Sequence, residues 1–376
     1  MTEIIPVKSK IELKQFIMFP FKLYKSDPNW VPPLIMEQKN FFNPKKNPYY
    51  EHSEVELFLA LKNKKVVGRI SAHTNTQHNK FHIDKVGFFG FFESIDDPEV
   101  ANSLFQAAHD WLKTKGLDSM RGPMNFSTNH ECGLLVNGFD SPPFIMMTHN
   151  PQYYEKLYKG FGLEKEMDLL AYLIPRKKTP ERLKRVTEKL QKRGRFTVRE
   201  LSSKNKKELR NDLETVFTVY TKAWEKNWGF VPMTKKEFDH EIDSVIDVVR
   251  PEFFYLAYVE DQPAGFYVAL PDFNQVLMKM KGRLLPFGIF HYLFGKNKIT
   301  AMRVITMGVI KEFQNRGIDT VFYTKNFMIA NEHKKMNIEN AEMSWILETN
   351  TMMNRIATNL GGWAHKTYRI LDKKIN

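Results

Sequence analysis

Hydrophobic and polar positions fall into two rhythms along the 376 residues, one of period two and one near 3.6, and their alternation predicts most of the elements. The clearest passage is 301–333. Positions 302–310 are apolar and rich in β-branched residues, with Arg303 their only charge, which predicts a strand covered on most sides. Positions 311–316 turn polar, and Gly317 follows. Beyond it Ile318, Val321, Phe322 and Met328 repeat at helical spacing. A strand that enters a helix through a glycine leaves the first backbone N–H groups of that helix free. Together with the helix dipole they make an anion site.

The same rhythms precede and follow this passage. A short strand is predicted over 2–8, and a helix over 11–24 with Ile11, Phe16, Ile17, Phe21 and Tyr24 on one face. A hairpin over 54–62 and 65–73 turns at Asn63-Lys64, and a buried strand follows over 85–93. Asp97-Pro98 start a helix that stops at Gly116. Positions 121–143 read as loop, 150–162 as a short helix ending in glycines, and 165–174 as a strand. The order then restarts. It runs through a strand (196–201), helices (206–227 and 234–249), a hairpin (253–260 and 262–269) and an insertion (272–300). The 301–333 passage comes next, then a strand (342–347), a helix (350–360) and a last strand (363–371). Both halves share one order of elements, which predicts two copies of an α+β unit, each a mixed, mostly antiparallel sheet flanked by helices. The expected boundaries are 1–175 and 196–376, joined by a basic helical linker over 176–195.

Composition refines this picture. A hydrophobic fraction of 42% with 30 phenylalanines predicts thick cores, or cores together with an apolar channel. The net charge of +13 favours anionic partners: nucleic acid, a membrane surface or a phosphate-bearing cofactor. The linker carries much of that charge but no interleaved aromatics, so it reads as a solvated connecting helix and not as a nucleic-acid patch. The single cysteine, Cys132, rules out an intrachain disulfide. No apolar run approaches about 18 residues and no signal pattern opens the chain, so a cytoplasmic protein without a transmembrane segment is expected.

Two further stretches stand out. His130-Glu131-Cys132 has poor metal geometry, because adjacent side chains point in different directions, and no metal site is expected. It lies in a long, polar, glycine-containing loop of a kind that often carries substrate contacts, and Asn129 and Glu131 are the residues expected to make them between the halves. The insertion is both basic and apolar, with Leu284, Leu285, Phe287, Phe290 and Phe294. It reads as a helical element packed on the other half, or as a lid over a long acyl chain or a lipid surface.

At Val309-x₄-Gln314-x-x-Gly317-x-Asp319 the chain resembles the GNAT N-acetyltransferase superfamily, specifically its tandem-domain members. The resemblance implies acetyl-CoA or another acyl-CoA as cosubstrate. Met307 and Val309 would then lie along the pantetheine arm. Gln314, Asn315, Arg316, Gly317, Ile318 and Asp319 would surround the pyrophosphate, and Asn350 would match the asparagine that precedes the family's last helix. Asp319 departs from the pattern, since a small residue is usual there. Ala357 stands where the family often has a tyrosine acid. The first half keeps Tyr158 in that element but has an acidic segment, 94–98, in place of the phosphate loop, which marks it as the degenerate copy. The implied activity is acyl transfer to a small-molecule or peptide amine by direct attack in a ternary complex. For the base the candidates are Glu348 and then Glu342; for the acid, Tyr323. The alternatives are a Fem-like transferase that uses aminoacyl-tRNA, and a non-catalytic metabolite-binding protein.

Overall fold

A computed structural model describes residues 1–246, 249–332 and 336–375. The first half contains β1 (Glu3–Pro6), α1 (Lys10–Leu23), α2 (Ile35–Phe41), β2 (Val55–Lys62), β3 (Lys65–His73), α3 (Thr76–His82), β4 (Val86–Ser94) and α4 (Pro98–Thr114). Four short strands follow, β5 (Ser119–Gly122), β6 (Met124–Asn125), β7 (Glu131–Cys132) and β8 (Leu134–Asn137), then α5 (Tyr154–Gly160) and β9 (Glu164–Pro175). The second half contains α6 (Glu181–Lys192), β10 (Thr197–Glu200), α7 (Lys206–Trp224), α8 (Lys235–Val245), β11 (Phe254–Val259), β12 (Gln262–Pro271), α9 (Asn274–Met280), α10 (Gly288–Gly295), β13 (Ala301–Val309), α11 (Ile318–Glu332), β14 (Asn340–Leu347), α12 (Thr351–Asn359) and β15 (Trp363–Lys374).

Local chemistry accounts for the element ends. Ser9 and Glu12 form a capping box on α1, and Thr234 and Glu237 form another on α8. Asp97 accepts from Glu99 N and Val100 N, with Pro98 in the first turn of α4. The hairpin turns Asn63-Lys64 and Glu260-Asp261 all take positive φ, as two-residue turns between twisted strands require. The stretch 121–143, expected to be loop, instead holds short strands. β8 is drawn into the sheet by pairing with β15.

Among the described residues, thirteen strands form one sheet in the order β1-β2-β3-β4-β5-β15-β9-β14-β13-β12-β11-β10, with β8 also on β15. The last strand of each half lies at the centre and pairs with the other half. β9 runs antiparallel to both β14 and β15, and β15 runs antiparallel to β5. One sheet with helices on its faces therefore unites the two halves. The α4 side buries Val100, Leu104, Phe105, Ala108 and Leu112 against β2 to β4. The α11 side buries Ile318, Val321 and Phe322.

The two halves treat their parallel strand pairs differently. β4 and β5 pair only from Val86↔Ser119 to Phe88↔Arg121, and the chain after β5 fills the gap beyond. Met124 O presses on Gly90 so closely that a Cβ there has no room, and Asn125 Oδ1 accepts from Phe91 N at 2.8 Å. Phe126, wholly buried, stacks on Tyr49 and Phe41. The first copy is thus plugged with aromatic side chains, as a degenerate domain. The basic segment between the halves is not a free rod. α6 lies on α11, with the Thr187 and Thr324 hydroxyls 2.6 Å apart and Leu190 against Gly317, while Arg182, Arg185 and Lys189 stay exposed.

Candidate active site

In the second half the corresponding gap is open. β13 and β14 pair in parallel from Ala301↔Asn340 to Val304↔Met343 and then diverge. A bulge marks the point: Val268 of β12 faces Thr306 and Ala269 faces Val304, so Ile305 has no partner. β14 slips against β9 between Met343 and Ile346 at the same level. The divergence opens a cleft of about 370 Å³ between residues 304–309 of β13 and 343–347 of β14. Trp224 of α7 closes one side and donates from Nε1 to Met307 O at 3.2 Å.

The structure gathers most of the named candidates around this cleft. Met307, Val309, Gln314, Asn315, Ile318, Asp319, Tyr323 and Asn350 all line it. Gln314 reaches back to Val309 O at 3.1 Å and ties the loop to the strand end. Asn315 and Gly317 take φ of +61° and +85°, which turns the chain into α11. The first N–H to find a carbonyl at this helix start is that of Val321, bonded to Gly317 O at 3.3 Å. The N–H groups ahead of it in the first turn have no partner within the helix. Arg316 lies over the Phe313 ring, 5.5 Å from its centroid. Asn350 caps α12, its side chain accepting from Met353 N at 3.1 Å. Asp319 faces the cleft, so its carboxylate adjoins any anion held there. The Tyr323 hydroxyl donates to Met353 Sδ at 3.6 Å. Burial, reinforced by Asp319, raises its pKa, so it remains a protonated phenol at neutral pH.

The two carboxylate candidates sit elsewhere. Glu348 pairs with Lys165 at 2.7 Å and accepts from Asp168 N at 3.0 Å, and it is not among the residues that line the cleft. Glu342 is fully buried one layer below. Its carboxylate accepts from Ser344 Oγ at 2.5 Å and lies 2.6 Å from His365 Nε2. Ser344 Oγ also accepts from Arg303 Nε at 2.8 Å, while Arg303 Nη1 donates to Ile145 O at 2.8 Å and Met146 O at 3.1 Å. This satisfied network fixes the point where the strands part.

A second cavity of about 270 Å³ lies on the far side of that point, lined by Asn129, His130, Met146 and Arg303. Thr128, Tyr220, Trp224, Ile305, Thr306 and Trp345 line both spaces, so the two meet at the bulge. Asn129 is held there by Tyr220 OH at 3.0 Å and by its own bond to Val231 O at 3.1 Å. Glu131, two residues further on, is exposed and is not among the residues that line either cavity, although its neighbour His130 lines the second. Desolvation pushes its carboxyl up to about 7, against the pull of Arg303 and Asn125. The sequence pointed to Glu131 as an acceptor contact but carried no sign of this proton affinity, which depends on what packs around it. Burial drives the Cys132 thiol up to about 12, so it is not a nucleophile at neutral pH.

No protein-family model matches the chain. It is 37% identical over 382 residues to the bacterial ceramide synthase of Caulobacter vibrioides, covering 99% of this chain and 97% of that one. It is 35% identical to the protein YghO of Escherichia coli, covering 98% and 94%. Among solved structures, a tandem GNAT protein from the clavulanic acid biosynthesis pathway superposes over 100% of this chain and 99% of its own, with a TM-score of 0.57 at 9% identity. A GCN5-related N-acetyltransferase from Sphaerobacter thermophilus covers 100% and 96% with a TM-score of 0.52 at 11% identity. The fold is therefore that of the tandem GNAT proteins, and the chain belongs to one family with the Caulobacter bacterial ceramide synthase and YghO.

Proposed function

We propose that this enzyme joins a fatty acyl group, delivered as its CoA thioester, to the primary amine of a long-chain amino alcohol. The observation that carries the reading is the open divergence of β13 and β14, with a helix start and a positive-φ glycine at one end and a second cavity at the other. Kinship with a bacterial ceramide synthase supports the acceptor, since a ceramide is an N-acylated long-chain base. Acetyl-CoA is the smallest donor of this kind. The apolar walls, with Ile305, Met307, Met343, Trp345 and Met353, favour longer chains.

In this reading the pyrophosphate lies on the N–H groups of 315–319 with Arg316 beside it, and the pantetheine arm runs along 307–309. The amine enters from the cavity of Asn129 and Met146. Its nitrogen attacks the thioester carbonyl carbon directly in the ternary complex, and the backbone N–H near Met307 bonds the developing oxyanion. We assign the proton lost by the amine to Glu131, which adjoins His130 of that cavity's wall and whose carboxyl is raised to about 7. The C–S bond breaks, and Tyr323 donates its proton to the departing thiolate. The products are an amide and free CoA.

The test is incubation of the purified protein with palmitoyl-CoA and sphinganine, following thiol release by colorimetry and the amide by mass spectrometry. Stoichiometric appearance of both supports the reading. Absence of thiol release with every acyl-CoA and amine pair, together with no binding of CoA by calorimetry, rejects it.

A further inference from the structure

The inserted segment between β12 and β13 carries the most exposed apolar surface of the second half. Phe287 and Phe294 keep 74% and 71% of their surface open, and Leu285, Phe290 and Leu293 are exposed beside them. Phe287, Phe290 and Phe294 recur at helical spacing on the outer side of α10, while Tyr292 points inward and stacks on Phe273. Isolated exposed hydrophobes are ordinary in a globular protein; a contiguous aromatic and aliphatic face is not.

The charge of the inserted segment itself has one sign. No aspartate or glutamate occurs between Asp272 and Glu312, whereas Lys279, Lys281, Arg283 and Lys298 are exposed at its rim. The segment is also rigidly seated. Gly282 packs against the Phe21 ring, and Gly282 O accepts from Ile35 N at 3.0 Å. It is fastened to the wall of the second cavity as well. Asn274 Nδ2 donates to Pro143 O at 2.8 Å, and Asp272 Oδ1 accepts from Ile145 N at 2.9 Å, one residue before Met146 of that wall.

We infer that α10 and its basic rim dock this protein on the surface of an anionic phospholipid bilayer, with the second cavity turned toward the membrane. Aromatic rings at the level of the headgroups and cations beside the phosphates are the combination such a surface accepts. No described helix is long and apolar enough to cross a membrane, so the contact is peripheral. The inference stands on the surface itself and does not depend on the proposed reaction.

The test is co-sedimentation of the full chain with vesicles of equimolar phosphatidylglycerol and phosphatidylcholine, and with phosphatidylcholine alone. The wild type is expected to sediment with the anionic vesicles and to bind the neutral ones at least about tenfold more weakly. F287D/F294D and K281E/R283E are each expected to lose about tenfold or more on anionic vesicles, with unchanged melting temperature and unchanged CoA binding. A wild type that stays in the supernatant overturns the inference, as does a F287D/F294D variant that sediments equally. It is also overturned if the wild type is a dimer by ultracentrifugation, F287D/F294D is a monomer, and neither binds vesicles. That pattern would make the face a protein interface.

Discussion

Gly317 turns the loop between β13 and α11 at one end of the cleft, and replacing it with alanine gives a measurable strain. A Cβ at this position would sit 2.7 Å from Leu190 Cδ1 and 3.0 Å from Leu190 Cδ2, on a backbone with φ of +85°. Holding a non-glycine residue in the left-handed region costs about 1–2 kcal/mol. The steric part adds roughly 1 kcal/mol, the low end for overpacking, because Leu190 is half-buried on α6 and its methyls can swing aside. The loop relaxes away from this strain in the free protein and must resume it to present its N–H groups to a pyrophosphate. The whole 2–3 kcal/mol then appears as weaker binding, about 30-fold to 150-fold in the Kd of CoA. Isothermal titration of CoA into wild type, G317A, L190A and the double variant, with thermal melts alongside, separates the two parts. L190A/G317A should recover the steric share, about fivefold, and keep the conformational one. Wild-type affinity in G317A would refute the argument, since it would mean that ligand binding does not require this backbone geometry.

Five further outcomes follow from the structure. Tyr323→Phe removes a hydroxyl whose partner is Met353 Sδ, so kcat should fall by about a hundredfold while the melting temperature and CoA affinity stay put; a kcat within about twofold of wild type would remove Tyr323 from the chemistry. With Glu131 as base and its carboxyl raised to about 7, kcat/KM should climb with pH as the group ionises and level off above about pH 8. Glu131→Gln should lower the plateau and abolish that limb; a variant that keeps it points to another group. Glu342→Ala strands Ser344 and His365 around a buried void and should cost about 3–5 kcal/mol in urea unfolding. Glu348→Ala loses one half-exposed ion pair and a capped N–H, for about 1–2 kcal/mol. Finally, burial lowers the pKa of His73 to about 3, and its ring bonds Phe126 O at 2.7 Å. Below about pH 6.5 the unfolded chain takes up a proton that the folded chain refuses, so stability falls by roughly 1.4 kcal/mol per pH unit, about 2 kcal/mol by pH 5. Denaturant curves at several pH values check this, and His73→Gln should flatten the loss.

Some of the site can be read directly from neighbouring residues. The run from Met302 to Gly317 specifies a strand, a tight loop and a helix start through its own propensities, and the structure places Met307, Val309, Gln314, Asn315 and Ile318 around one cleft. The caps at Ser9, Asp97 and Thr234 and the turns at Asn63 and Glu260 are legible for the same reason. Carboxylates are harder to place. Glu342 and Glu348 lie six residues apart on and just beyond one strand, yet one is sealed in a hydrogen-bonded network and the other pairs with Lys165 at the surface. Only their neighbours across the sheet distinguish them. Glu131 likewise owes its raised pKa to desolvation by the protein around it, which outweighs the opposing pull of Arg303, and Arg303 is far away in sequence.

The amino-acid sequence by itself determined the alternation of elements, the repeat of that order in two halves, and the glycine-containing turn from strand to helix at Gly317 that the first half lacks. These are local properties, set by side-chain periodicity, capping residues and the backbone freedom of a few glycines. Tertiary structure alone decided that β9 and β15 cross to the opposite halves and weld them into one sheet. It decided that Phe126 plugs one divergence of strands while the other stays open, and that the apolar, basic insertion is fastened to the wall of the second cavity. Each of these depends on which distant surfaces meet. Strand pairing has nearly the same local chemistry whichever partner is chosen, so the choice is made by the packing of the whole.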